Sequence, residues 1–233
     1  MHGILNLDKP AGTTSAAVVG RVKRLLPRGT KIGHAGTLDP FATGVLLLLV
    51  SRATKWCEPL MDQPKRYQTT VRLGATTATD DLESPAVPFP NPASPPTADQ
   101  LHSAVAKFTG PILQMPPAYS ALKVGGRRAY DLARAGTAVA LAPRQVMVYA
   151  IAIDQYQWPD VRLTVDCGRG FYVRSLAREL GEFLKVGGYL TALRRTRVGP
   201  FDVAEAVTPD SLTTERLSGR LRMQDGTPVV PQD

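Results

Sequence analysis

One carboxylate, Asp39, lies in the stretch His34-Ala35-Gly36-Thr37-Leu38-Asp39-Pro40-Phe41-Ala42-Thr43-Gly44, directly ahead of the apolar run Val45 to Val50. The proline at 40 pushes Asp39 toward an extended backbone, and Gly36 and Gly44 permit bends or close approaches that other residues resist. A loop of this kind presents its carboxylate instead of packing it, which suits a group that attacks a carbon or removes a proton. A plain Asp-Pro surface turn has the same local signature, so the residues alone leave both readings open. Tyr67 and Arg174 add a ring with a hydroxyl and a cation in the first turn of a helix. Taken singly, Tyr67 reads by default as a core strand tyrosine, Arg174 as an exposed helical arginine and His34 as a structural histidine.

The elements that must position these residues follow from periodicity. Gly3 to Leu7 reads as a strand, and Ser15 to Leu26 as a helix with Val18, Val19, Val22, Leu25 and Leu26 on one stripe. Tyr67 to Leu73 alternates, with Tyr67, Thr69, Val71 and Leu73 on one face. Ser84 to Pro96 holds six prolines in thirteen residues and reads as an extended surface connector within a domain. Thr97 with Gln100 three residues on is a capping-box pattern, followed by Leu101, Ala104, Val105 and Phe108 on one stripe, with His102 off it. Arg128 to Ala135, closed by Gly136, reads as a short helix inside a loop-and-return over residues 110–143. Gln145 to Ala152 and Val161 to Cys167 read as strands, and Val173, Leu176, Leu180 and Phe183 mark a helix with Arg174 in its first turn. There the helix dipole disfavours a cation by about 0.3–1 kcal/mol, which a partner elsewhere would offset. Strands and helices intermix without a regular strand-helix-strand repeat, so the pattern predicts an α+β fold with a largely antiparallel sheet.

Composition narrows the class. A chain of 233 residues with 43% hydrophobic content can bury a core as one large domain, or as one domain with an appendage. The longest apolar run is far shorter than the about 20 residues of a membrane span, and the N-terminus has no signal-peptide pattern, so a cytoplasmic protein is expected. Cys57 and Cys167 stand far apart, which predicts reduced thiols and no metal site. No glycine-rich dinucleotide loop or Walker sequence occurs, and no cofactor is expected. A net charge of +8, with arginines the majority of the 28 basic residues, points to a polyanionic partner. The basic residues cluster at Arg21 to Lys31, at Lys123, Arg127, Arg128 and Arg134, and at Arg194, Arg195 and Arg197.

The Asp39 segment resembles the aspartate motif of the TruB family of tRNA pseudouridine-55 synthases, and the likeness recurs in order along the chain. Gly3-Ile4-Leu5-Asn6-Leu7-Asp8-Lys9-Pro10-Ala11-Gly12-Thr13-Thr14-Ser15 is similar to the family's opening motif. Lys65-Arg66-Tyr67, Leu73-Gly74 and Thr77-Ala78-Thr79-Asp80-Asp81 resemble its tyrosine motif, and Gln114 to Lys123 the start of its RNA-gripping insertion. Cys167-Gly168-Arg169-Gly170-Phe171-Tyr172-Val173-Arg174-Ser175-Leu176 matches its arginine motif, and Leu193-Arg194-Arg195-Thr196 with Val198-Gly199-Pro200-Phe201 its last. Ser84 departs from the pattern, standing where the family usually has glycine.

The resemblance implies the pseudouridine synthase fold, with a central mixed sheet flanked by helices and a thumb-like insertion at about 110–143, in a catalytic domain over 1–207. Residues 208–233 are expected to form a short tail without a further RNA-binding domain. It implies isomerisation of a uridine in the T-loop of tRNA, with Asp39 as the essential carboxylate, Arg174 as its partner and Tyr67 stacked on the base. Leu193 would line the uracil pocket and His34 fill the space left by the extruded base. Lys9, with Asp8, would support the site, and Lys123, Arg127 and Arg128 would hold phosphates. A monomer acting on the tRNA T-stem loop without a protein partner is expected. A non-catalytic RNA-binding or RNA-folding protein, an RNA-guided synthase within a complex, and a paired-carboxylate glycosidase are the competing readings.

Overall fold

The computed structural model describes residues 1–120, 123–124, 127–128 and 141–221. The chain forms two compact units, one from residues 1–67 and 193–233 and the other from residues 68–192. The span 1–207 expected as one domain therefore runs through both. Strands β4 (Lys65–Leu73) and β12 (Gly188–Val198) each contribute residues to both units.

The first unit is organised around β3 (Thr43–Val50), whose unbroken apolar sequence fits a strand covered on both faces. Strand β1 (Gly3–Lys9) runs antiparallel along all of it, from Gly3 opposite Val50 to Lys9 opposite Gly44. The other edge of β3 is shared. Near its start it pairs in parallel with β12, Arg195 opposite Gly44, and farther along it pairs antiparallel with β2 (Ile32–Ala35), His34 opposite Leu48. Val45, Leu47 and Leu49 join Ile4, Ala35, Ala53, Leu60, Val198 and Phe201 in a core cluster. Leu46 and Leu48, with Leu5 and Leu7 opposite them, are buried on the reverse face. Burying such a side chain contributes about 1.5–3 kcal/mol, so β3 is the most strongly anchored segment near the Asp39 turn. Helix α1 (Ser15–Lys23) is capped by Thr14, whose hydroxyl accepts from the Ala17 amide, and buries Val18 and Val22. Its regular turns stop at Lys23, so Leu25 and Leu26 of the predicted stripe follow in a turn.

Helix α2 (Cys57–Asp62) follows a short 3-10 turn, and β13 (Phe201–Asp202) hairpins onto β12. An isolated parallel bridge ties Leu7 to Val207, beyond which come a 3-10 turn and helix α5 (Thr214–Arg220).

In the second unit, β4 shows the predicted alternation, with Thr69, Val71 and Leu73 buried and Gln68 and Arg72 exposed. Strands β7 (Gly110–Gln114), β10 (Arg144–Gln157) and β11 (Asp160–Cys167) follow in antiparallel order. β10 is longer than the segment Gln145 to Ala152 read from sequence, because two register irregularities let it continue opposite β11. Short pairs β5–β6 (Ala75–Thr76, Val87–Pro88) and β8–β9 (Lys123–Val124, Arg127–Arg128) complete the strands. Arg128, the expected start of a helix to Ala135, lies in β9, and the rest of that helix and the tail from residue 222 on lie outside the described residues.

Helix α3 (Ala98–Ala106) has the capping box predicted from Thr97 and Gln100, and buries Leu101, Ala104 and Val105. Helix α4 (Val173–Phe183) carries Arg174 in its first turn. Phe183, the last of the four apolar residues that mark this helix, differs from the buried Val173, Leu176 and Leu180. It is exposed at the helix end and meets Phe108 edge-on, with ring centroids 6.5 Å apart. No helix among the described residues is long and apolar enough to cross a membrane.

Candidate active site

The turn that carries Asp39 is tied down on both sides of the residue. Before it, the Ser15 hydroxyl accepts from the Leu38 amide at 2.9 Å and donates to the Leu38 carbonyl at 3.0 Å. After it, the Pro40 carbonyl accepts from the Gly12 amide at 2.9 Å and from the Lys9 ammonium at 3.2 Å. The Ala42 amide closes the turn onto the Asp39 carbonyl at 3.1 Å. These anchors come from the opening segment: β1 ends at Lys9 beside Gly44, Gly12 turns the chain with φ +75°, and Thr14 starts the helix whose first residue is Ser15. The main chain is fixed at residues 38 and 40 while the Asp39 side chain stays half-buried. The resulting arrangement can hold one carboxylate in a set orientation at low entropic cost.

Lys9 is fully buried, and its ammonium also donates to the Pro10 and Thr13 carbonyls at 2.9 and 2.7 Å. Its three protons are thereby directed to the chain around Asp39, which makes Lys9 a support of the turn instead of a surface contact. Burial lowers its pKa to about 8, opposed by the Asp39 charge and assisted by the Arg195 charge. Asp8, next along β1, grips Arg194 through two bonds of 3.0 and 2.7 Å, and the same guanidinium donates to Thr43.

The third basic cluster therefore differs from its sequence reading. Arg194 is paired with Asp8 but its side chain is 39% exposed, whereas Arg195 is only 2% exposed and so offers no open cation to a phosphate. Strand alternation is the signal that places Arg195 on the inward face of Leu193, two residues earlier. Leu193 and Tyr67 are themselves buried, at 7% and 9% exposure. His34 lies on β2, half-buried, with its carbonyl accepting from the Cys57 thiol at 3.6 Å. Lys9, His34, Asp39, Tyr67 and Leu193 all belong to the first unit.

Arg174, in the second unit, is 5% exposed. Its guanidinium donates to the Thr79 and Tyr119 carbonyls at 3.1 and 2.9 Å and stands 3.6 Å from the Asp81 carboxylate. Asp81 in turn accepts from the Thr79 hydroxyl at 2.6 Å and the Glu83 amide at 2.9 Å. Within this unit Asp81 offsets the unfavourable dipole at the start of α4. Ser84, the departure from the family pattern, is integrated here, its hydroxyl accepting from the Thr79 amide at 3.0 Å. One turn further on, Arg178 pairs with Asp80 and donates to the Met115 carbonyl. Burial raises the Asp80 pKa against the opposing charges of Arg178 and Arg174. Gln114, 1% exposed, both donates to and accepts from the Tyr172 main chain, at 3.1 and 2.8 Å, and so joins β7 to the start of the arginine helix. Sequence reading gave Gln114 no such role, because it took residues 110–143 as a loop-and-return, whereas Gly110–Gln114 pairs with β10 as a strand. Lys123 and Arg128 face each other in the β8–β9 pair, and their side chains, like that of Arg127, lie outside the described residues.

The chain is similar to a protein in the crystal structure of a Cbf5-Nop10-Gar1 complex, with 32% identity, a TM-score of 0.67, and coverage of 88% of this chain and 52% of that one. It is also similar to one in the structure of an H/ACA RNP bound to a substrate RNA containing 2′-deoxyuridine, with 27% identity, a TM-score of 0.65, and coverage of 96% and 56%. The chain thus spans about half the length of these solved chains. Its α+β architecture, with a mixed, mostly antiparallel sheet, is that of the pseudouridine synthase fold. The model of the TruB family pseudouridylate synthase N-terminal domain matches residues 23–173, and that of the tRNA pseudouridylate synthase B C-terminal domain matches residues 174–222. Proteins named tRNA pseudouridine synthase B from Mycobacterium sp. (strain KMS) and Cutibacterium acnes are each 51% identical over 225 residues. These alignments cover 94% and 91% of this chain and 75% of either relative. The chain belongs to the TruB family of pseudouridylate synthases.

Proposed function

We propose that this protein is a tRNA pseudouridine synthase that isomerises uridine-55 in the T-loop. The observation that carries the reading is the identity of 51% across 94% of the chain with a relative bearing that name. The Asp39 turn supplies the chemistry the reaction needs. The bond between ribose C1′ and base N1 breaks, the base turns, C5 joins C1′, and the C5 proton leaves as N1 gains one. Atoms and electrons balance without an oxidant or a nucleotide, so what the protein must supply is positioning, a carboxylate and proton handling.

In this reading Asp39 initiates cleavage, and its main-chain anchors at Leu38 and Pro40 keep it in place while the base is loose. Arg174 favours an ionised carboxylate, Tyr67 stacks on the base and handles a proton, and Leu193 lines the uracil pocket. Extruding the base costs a few kcal/mol of unstacking, and His34 occupies the vacated position. Lys123, Arg127 and Arg128 hold backbone phosphates, so truncating any of them weakens binding and flattens its salt dependence with little effect on chemistry. The enzyme acts in the cytoplasm as a monomer, without guide RNA or partner protein. Incubation with a tRNA transcript tritiated at uridine C5 tests this. Tritium release by the purified protein, abolished in Asp39→Asn, is the expected result. RNA binding without release would favour a non-catalytic RNA-binding role.

A further inference from the structure

Arg195 is the largest fully buried side chain near Asp39, and its position is unusual for a residue in a basic Arg194-Arg195 pair. Its Nε–H donates to the Val45 carbonyl at 2.7 Å, while its two terminal nitrogens donate to the Thr37 and Gly36 carbonyls at 3.4 and 3.1 Å. Gly36 and Thr37 form the entrance to the Asp39 turn, and Val45 is the first residue of the apolar run after its exit. One guanidinium therefore spans the mouth of the loop. The main chain of the same residue also acts at the exit, because Arg195 pairs with Gly44 across the parallel β12–β3 junction. The approach is so close that a Cβ on Gly44 would lie 2.1 Å from the Arg195 carbonyl oxygen.

We infer that Arg195 is a positioning residue for the reaction, a clasp that fixes residues 36–45 as a closed loop and thereby sets the place of the Asp39 carboxylate. The inference rests on the pseudouridine synthase reading for its catalytic consequence, but not for its structural one. A guanidinium is required because its planar fork reaches acceptors on both sides of the loop at once, whereas a lysine ammonium is a compact point donor on a flexible stem. Phosphate contact is not its task, since it is 2% exposed and directs its protons to main-chain carbonyls. Lys9 supports the same turn from β1 through Pro40, so the two buried cations act on different sections of it.

The test compares wild type with Arg195→Lys, which keeps the charge, and Arg195→Met, which removes it. Three quantities are read: dissociation constant for a T-stem loop RNA, single-turnover rate of tritium release, and amide hydrogen exchange. A shift of the carboxylate of about 1 Å should slow the Arg195→Lys rate on the order of 100-fold, with RNA binding within about twofold of wild type. Exchange should accelerate at Leu38 and Ala42, whose amides close the turn, and stay slow at Leu5 and Leu47 in β1 and β3. Accelerated exchange at Leu5 and Leu47 as well would overturn the proposal in favour of a general core role, as would a loosened turn with an unchanged rate. If Arg195→Met does not fold, Arg195→Lys alone decides. A wild-type protein that releases no tritium would refute the enzyme reading, and the exchange pattern would still judge the clasp.

Discussion

Replacing Asp81 with asparagine should destabilise the protein far more than the same change at Asp160, although the Asp160 pair has the better geometry. Asp160 accepts two bonds from Arg72 at 2.9 and 2.8 Å, but the side chains are 37% and 44% exposed. Exposed pairs contribute about 0.2–1 kcal/mol, because water screens the charges and ordering both chains costs entropy. Asp81 stands 3.6 Å from Arg174 with side chains only 2% and 5% exposed. At that separation and an effective dielectric near 20, the attraction is roughly 4–5 kcal/mol before desolvation is counted. Asparagine keeps the shape and an acceptor for the Glu83 amide, and Arg174 keeps its bonds to Thr79 and Tyr119. The loss should therefore fall at the low end of the 3–5 kcal/mol seen when one partner of a buried pair is removed, about 3 kcal/mol. For a chain of this size that corresponds to a fall in melting temperature of roughly 6–12 °C, against about 4 °C or less for Asp160→Asn. Scanning calorimetry of the two variants at one pH and salt concentration measures both. Equal shifts, or a shift under about 2 °C for Asp81→Asn, would refute burial as the factor that decides.

Other consequences are as specific. Gly44→Ala should cost about 3 kcal/mol or more in urea unfolding, since its φ of +103° disfavours a side chain and the new Cβ would collide with the Arg195 carbonyl. A cost under about 1 kcal/mol would mean the junction yields easily. Gln114→Leu removes two bonds to the Tyr172 main chain and should cost roughly 2–3 kcal/mol in urea unfolding. Lys9 gives a pH signature. In the folded protein its ammonium loses its proton near pH 8, whereas the unfolded chain holds it to about 10.5. Between those values the unfolded chain binds more protons, so the Lys9 contribution to stability rises with pH, and it is level below 8 and above 10.5. The stability difference between wild type and Lys9→Met, followed by urea unfolding from pH 7 to 10.5, should grow in favour of wild type across that window. A constant difference would contradict the lowered pKa.

Much of this arrangement was legible in the residues because it rests on local rules. The alternation of Tyr67 to Leu73, the Thr97 and Gln100 capping box and the place of Arg174 in a first helical turn all depend on neighbours within a few residues. What escaped depends on partners far along the chain. Arg195 read as part of a basic patch because the strand that receives its guanidinium, β3, lies 150 residues earlier. The helical period grouped Phe183 with Val173, Leu176 and Leu180, but the helix ends at Phe183, where the ring is exposed and forms a T-shaped pair with Phe108. Asp81 was visible as part of a threonine-rich motif, and its pairing with Arg174 was not, since 93 residues separate them in sequence. The family motifs marked Asp39 directly, while the clasp around it required the register of β1 and β12 on β3.

The claim on which the account depends is that Asp39, held in its turn, is the carboxylate that converts uridine-55. Chemical mapping of pseudouridine in a bare T-stem loop RNA, after incubation with wild type or Asp39→Asn and no other macromolecule, tests it most directly. Wild type should convert that position completely, and Asp39→Asn not at all although the variant binds the same RNA with similar affinity. Conversion by Asp39→Asn, or none by wild type on RNA it binds tightly, would contradict it.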